Sequence, residues 1–198
     1  MPSRLSKTVT LVLGGARSGK SRYAQELACA FQRVVFIATA RPDDTEMRRK
    51  IREHRRRRPS SWKTVETPEG LDRSLAKEDP TADLLLVDCL TVYLANVMGR
   101  KRGGRREVRT HIERLCKAVR KSKASMVIVS NEVGSGIVPP YRSGREYRDL
   151  LGQLNSQMAR VADRVILMVA GLPLIVKGSA GGRGRTLSKG GRREEQQR

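Results

Sequence analysis

Aromatic residues are scarce in this chain: one tryptophan, four tyrosines and two phenylalanines, 4% of 198 residues. A surface built to stack on bases needs more of them. Phe31 and Phe36 read as core, which leaves Trp62 and the tyrosines. No apolar run approaches the roughly 20 residues of a membrane-spanning helix. Cysteine is sparse too. Cys29, Cys89 and Cys116 are widely spaced and form no CxxC pair, so neither a zinc site nor a disulfide framework is suggested. Cys29 and Cys89 lie among apolar residues and read as small core residues. An odd cysteine count without a signal peptide fits a reducing cytoplasm. No internal repeat is present.

Basic residues are abundant. Lys and Arg number 41 against 20 acidic residues, a net charge of +21. Such an excess suits contact with polyanions, whether nucleotides, nucleic acid or an anionic membrane. It also suits an arginine-rich solvated surface, because much of it lies in loops and near the C-terminus.

Short apolar runs alternate with helical patterns. TVTLVL (8–13), VVFIA (34–38), LLLVD (84–88), SMVIVS (125–130) and RVILMVA (164–170) read as buried strands. Continuous apolar runs of this kind, separated by helices, predict a mostly parallel α/β sheet flanked by helices. LPLIVK (172–177) reads as an antiparallel edge strand after a tight turn at Gly171. Helices are expected over SRYAQELACAF, with Tyr23, Leu27 and Ala30 on one face, and over 43–58, stopped by Pro59. Others are expected from Pro68 to about Ala76, from Leu90 to Met98, from Glu107 to Lys121 and from Tyr141 to Asp163. Residues 99–106 read as a glycine- and arginine-rich loop. Residues 1–177 form one domain, and 178–198 read as a disordered basic tail.

Gly14, Gly15, Ala16, Arg17, Ser18, Gly19, Lys20 and Ser21 match G-x-x-x-x-G-K-[ST] without a gap, between a strand and a helix. Glycines let the backbone wrap a phosphate with its N–H groups, and the helix N-terminus adds a favourable dipole. Lys20 reaches β- and γ-phosphates, and Ser21 can ligate Mg²⁺. Asp88, at the end of LLLVD, is the acidic partner expected for that ion. The alternative for Asp88 is a cap on the next helix. These features predict a P-loop NTPase-type fold that binds a nucleoside triphosphate at the carboxyl ends of its strands.

The motif series is more specific than the loop. GGARSGKSRYAQELA is followed by FIATA, DDTEMRRKIREHRRRRP, W-K-T-V-E, LLLVDCLT, SNEVGSGIVP and R-x-Y-R-D-L-L-G-x-L-N. In this order they resemble the adenosylcobinamide kinase / adenosylcobinamide-phosphate guanylyltransferase family of cobalamin biosynthesis, from about Thr8 to Lys177. The resemblance implies two activities on one domain: phosphorylation of adenosylcobinamide, and GMP transfer from GTP onto adenosylcobinamide phosphate. It implies that His54 takes the GMP covalently. It also implies nucleotide contacts from the P-loop, from Ala38, Thr39 and Ala40, from Arg55, Arg56, Arg57 and Arg58, and from Glu66 and Asp88. The family usually has a mixed segment with a glycine after the histidine; four arginines stand there here, and Arg58 matches best. GTP and ATP as substrates, Mg²⁺, and a homo-oligomer (a trimer) follow from the same resemblance.

The residues agree with it. Met47, Ile51 and His54 share a helical face, so His54 is expected to point inward, and a neutral imidazole is nucleophilic near pH 7. His111 reads as a surface residue. Asn131 and Glu132, with Gly134 and Gly136, read either as a loop near the nucleotide or as a plain turn. Two other readings stand beside this one. One is an unrelated small-molecule kinase, which would show no covalent nucleotidylation. The other is a nucleic-acid-binding ATPase, suggested by the basic runs at 48–58, 99–106 and 183–193. The scarcity of aromatics speaks against nucleic acid as a specific partner.

Overall fold

The computed structural model describes residues 7–42, 45–56, 58–100 and 104–179. The apolar runs form buried parallel strands: β1 (Val9–Gly14), β2 (Val34–Ala38), β4 (Leu84–Asp88) and β5 (Ser125–Val129). The sheet is completed by β3 (Lys63–Glu66), β6 (Arg164–Val169) and β7 (Leu172–Lys177). The strand order is β3-β2-β4-β5-β1-β6-β7, parallel throughout except for the antiparallel β6–β7 pair at the edge. The helices are α1 (Lys20–Ala28), α2 (Thr45–Arg56), α3 (Leu71–Glu78), α4 (Leu90–Arg100), α5 (Gly104–Lys121) and α6 (Arg142–Val161).

The strand runs are apolar on both sides because both faces of the sheet are covered. One face, with Leu11, Ile37, Leu85 and Ile128, packs against α3, α4, α5 and α6. The opposite face, with Val12, Phe36, Leu86 and Val129, meets α1 and Trp62. Fully burying side chains of this size contributes about 1.5–3 kcal/mol each. Trp62 is therefore core, and Tyr93 is buried as well. The stacking surface that a nucleic-acid reading needs shrinks further.

Several boundaries and faces differ from the sequence expectation. The α1 face that meets the sheet is Ala24 and Ala28; Tyr23 and Leu27 flank it half-buried, and Ala30 is exposed. The helix lies against β1, β4 and β5, and close approach to a sheet favours small side chains. Cys29 caps the exposed end of α1 and is exposed rather than core. The helix expected from Pro68 starts at Leu71, after Gly70 adopts a left-handed φ of 64°. The expected 99–106 loop is shorter, because α4 runs to Arg100 and α5 starts at Gly104. Gly99 is accommodated in the helix because an exposed helical glycine costs only about 1 kcal/mol. Residues 101–103 and the expected tail from 180 onward lie outside the described residues. So do the side chains of Met47 and His54, on which the expected inward face of α2 partly rests.

Every residue of β7 is exposed, including Leu172, Leu174 and Val176. Among the described residues, no helix is long and apolar enough to cross a membrane.

Candidate nucleotide site

The first functional turn begins where β1 ends. Gly14 has φ 151°, and a Cβ there would lie 2.6 Å from both the Met168 carbonyl oxygen and Ser18 Oγ. Only glycine lets the loop leave the strand so close to β6. The turn continues through Arg17 and Gly19, both at positive φ (55° and 91°), and α1 begins at Lys20. Gly15, Ala16 and Arg17 are exposed, whereas Ser18 and Lys20 are buried. Gly14→Ala is expected to destabilise the fold by about 2 kcal/mol or more. Thermal unfolding in parallel with nucleotide binding checks this; an unchanged melting temperature would contradict the close approach.

Lys20 Nζ donates to the Gly15 carbonyl at 2.5 Å and lies 3.5 Å from Ser18 Oγ. Burial lowers the pKa of this ammonium, while the neighbouring Cys89 and Asp88 act in the opposite direction. The lysine thus bridges the loop as a partly desolvated cation held by neutral oxygens. Phosphate oxygens interact with such a group far more strongly than water-exposed ones do.

A second row of residues comes from strand register. Ala38 pairs with Glu66 on β3 and with Asp88 on β4, so three expected site residues share the carboxyl edge of the sheet. Ser21, in the first turn of α1, donates its hydroxyl to Asp88 Oδ1 at 3.3 Å. This joins the end of β4 to the loop, although β5 lies between β4 and β1. Thr39 is fully buried and clamps β2 to β4. Its N–H donates to the Asp88 carbonyl at 3.2 Å, and its hydroxyl donates to the Cys89 carbonyl at 2.7 Å. Asn96 Nδ2 donates to the Thr39 carbonyl at 2.8 Å. Thr39 therefore shapes the site through the backbone, with its hydroxyl already engaged. Ala40 follows, half-buried.

Arg58 places its guanidinium 3.4 Å from the centroid of the Phe36 ring, a stacked cation. Burial lowers its pKa; Asp88 and Glu66 pull it back up, and Arg55 pushes it further down. Arg58, Glu66 and Asp88 thus form one electrostatic group. Arg55 and Arg56 are exposed, and Arg57 lies outside the described residues. His54 falls in α2. Cys89, next to Asp88, is a poor rival nucleophile, because burial and the Asp88 carboxylate push its thiol up to about 11. His111 is half-buried on α5, within hydrogen-bond distance of Arg114.

The end of β5 belongs to this edge as well. Ser130 N–H donates to the Val12 carbonyl and Glu132 N–H to the Gly14 carbonyl, both at 3.0 Å. The Asn131-Glu132 segment is therefore bonded to the first residue of the phosphate loop. The signal was a core strand running into Asn-Glu-x-Gly, and it fitted a plain turn equally well.

A glycine-shaped loop between strand and helix, a buried lysine across it, and a serine bonded to the aspartate of a neighbouring strand together define a P-loop nucleoside-triphosphate enzyme. Solved structures agree on the fold. An ATPase from a type III secretion system of pathogenic bacteria superposes with a TM-score of 0.52 at 13% identity, covering 82% of this chain and 51% of that one. The chain thus spans about half the length of that ATPase. A Pyrococcus horikoshii OT3 protein superposes at 0.54 with 10% identity, covering 89% of each chain. Sequence relatives are much nearer. The bifunctional adenosylcobalamin biosynthesis protein CobP of Pseudomonas aeruginosa is 42% identical over 173 residues, covering 85% of this chain and 96% of its own. The protein CobU of Escherichia coli, of the same description, is 36% identical over 178 residues, covering 84% and 98%. Residues 10–176 match the cobinamide kinase / cobinamide phosphate guanyltransferase family, and the chain belongs to that family.

Proposed function

We propose that this chain phosphorylates the aminopropanol hydroxyl of adenosylcobinamide with a nucleoside triphosphate, and then moves GMP from GTP onto the new phosphate through His54. The observation that carries this reading is the Ser21–Asp88 bond set against the Lys20 bridge, in a chain of this family. Backbone N–H groups of Gly15 to Lys20 would bind the β- and γ-phosphates, with the Lys20 ammonium neutralising charge as the transfer proceeds. In the second reaction the His54 nitrogen attacks the α-phosphorus, and the bond to the β-phosphate breaks to release pyrophosphate. An oxygen of adenosylcobinamide phosphate then displaces the imidazole. This gives adenosylcobinamide-GDP and frees the site. Arg58, stacked on Phe36 beside Asp88 and Glu66, is the arginine best supported as a nucleotide contact.

Mg²⁺ is part of the same reading. The donors present are hydroxyl and carboxylate oxygens 3.3 Å apart, Ser21 Oγ and Asp88 Oδ1, which suits a hard ion completing its shell with phosphate oxygens and water. Among the described residues no cluster of three or more His, Cys, Asp or Glu offers a richer metal cage. When bound there, the ion would neutralise phosphate charge. Asp88→Asn is expected to lower both rates by about 10²-fold and to raise the Mg²⁺ concentration needed for half-maximal rate. An unchanged Mg²⁺ dependence would remove Asp88 from the metal role.

The homo-oligomer, a trimer by family resemblance, is supported by the apolar side chains that β7 leaves exposed. The cytoplasm is the compartment that the cysteine content favours. The direct test is to supply adenosylcobinamide with ATP or GTP, and then GTP with the product. Adenosylcobinamide phosphate, followed by adenosylcobinamide-GDP with pyrophosphate, is the expected result. A protein that yields neither would contradict the reading.

A further inference from the structure

We infer that Glu132 is the general base that accepts the proton of the acceptor hydroxyl in the phosphorylation step. This rests on the kinase reading above. Four observations point to it. First, β5 lies between β1, which leads into the phosphate loop, and β4, which ends in Asp88. The residues that follow β5 therefore emerge between the two halves of the nucleotide site.

Second, the Glu132 N–H donates to the Gly14 carbonyl at 3.0 Å, which pins its Cα beside the first residue of the loop. Third, its carboxylate is aimed by the backbone. Oε1 accepts from the Gly134 N–H at 2.5 Å, and a Cβ on Gly134 would lie 2.8 Å from that oxygen. Gly134 thus lets the carboxylate rest on a main-chain amide through Oε1, and Oε2 is the oxygen assigned to the substrate proton. Among the described residues of this very basic chain no lysine or arginine pairs with Glu132.

Fourth, the loop that continues from Glu132 exposes Ile137, Val138 and Tyr141. The carboxylate sits where an acceptor with a large apolar body would meet the phosphates. Of the other carboxylates at the edge, Asp88 is bonded to Ser21 and reserved for the metal, and Glu66 ends β3, three strands away from β5.

The acceptor oxygen attacks the γ-phosphorus, and its proton passes to Glu132 Oε2. The bond from the γ-phosphorus to the bridging oxygen breaks, and its electron pair leaves with the nucleoside diphosphate. GMP transfer needs no such base, because its nucleophiles are an imidazole and an already ionised phosphate.

The test compares wild type, Glu132→Gln and Gly134→Ala in three assays: adenosylcobinamide phosphorylation, GMP incorporation into the protein from GTP, and affinity for a fluorescent nucleoside triphosphate. Glu132→Gln is expected to lower kcat of phosphorylation by about 10²-fold or more, with nucleotide affinity and GMP incorporation at wild-type levels. Those two retained signals also report an intact fold. Gly134→Ala, which displaces the carboxylate without removing it, is expected to lower kcat in the same assay alone. A phosphorylation kcat in Glu132→Gln near that of wild type would overturn the inference, as would an equal loss in all three assays. A wild-type protein that binds nucleotide yet phosphorylates no adenosylcobinamide would overturn the kinase reading itself, and the inference with it.

Discussion

His54→Ala is expected to lower GMP transfer to adenosylcobinamide phosphate by about 10³-fold or more, while phosphorylation of adenosylcobinamide stays within about threefold of wild type. In the proposed scheme the two reactions share a phosphate cradle but not a nucleophile. Phosphorylation uses the acceptor's own hydroxyl, so removing an imidazole costs it little. GMP transfer through a covalent intermediate loses its first bond-forming atom, and water or the acceptor phosphate must then attack the α-phosphorus unaided. His54 lies on α2, one turn after the half-buried Ile51 and four residues before Arg58, which stacks on Phe36. Separate assays of the two products check this. An equal loss in both reactions would mean that His54 serves the fold or the shared cradle, and an unchanged GMP transfer would place the nucleophile elsewhere.

Lys20→Ala is expected to act differently, lowering both reactions by about 10²–10³-fold. Lys20 is buried and desolvated, and it bridges a loop whose backbone is set by Gly14, Arg17 and Gly19. In the proposed scheme its charge meets the transferred or leaving phosphates as they collect negative charge, and that demand is common to both steps. The variant should remain folded, because among the described residues the side chain donates to one close carbonyl, that of Gly15. Steady-state rates with GTP, alongside thermal unfolding, check both halves of this expectation. Unchanged rates would contradict the phosphate role.

The phosphate loop was legible because its chemistry is contiguous. Eight successive residues between a β-branched run and a helix specify the turn wherever they occur. The strands were legible because burial on both faces makes each one continuously apolar. The strand order was not, since parallel strands are joined by long crossovers and local periodicity says nothing about which strands become neighbours. That order decides the site: it puts β5 between the loop and Asp88, and so brings Glu132 to Gly14. Asp88 was expected from its place at the end of LLLVD, Ala38 and Glu66 from family resemblance alone, and register accounts for their grouping. On α1, Tyr23 and Leu27 of the expected face pack half-buried against the core, while the small Ala24 and Ala28 make the closest approach to the sheet. A helix pressed against three strands buries the small residues and leaves the large ones at its flanks.

On the proposed mechanism, one P-loop domain carries GMP covalently on His54. Mass spectrometry of the protein after incubation with GTP and Mg²⁺ tests it most directly. The expected result is the mass gain of a single GMP, mapped to the peptide that contains His54 and reversed when adenosylcobinamide phosphate is added. No gain, or a gain mapped to another peptide, would contradict it.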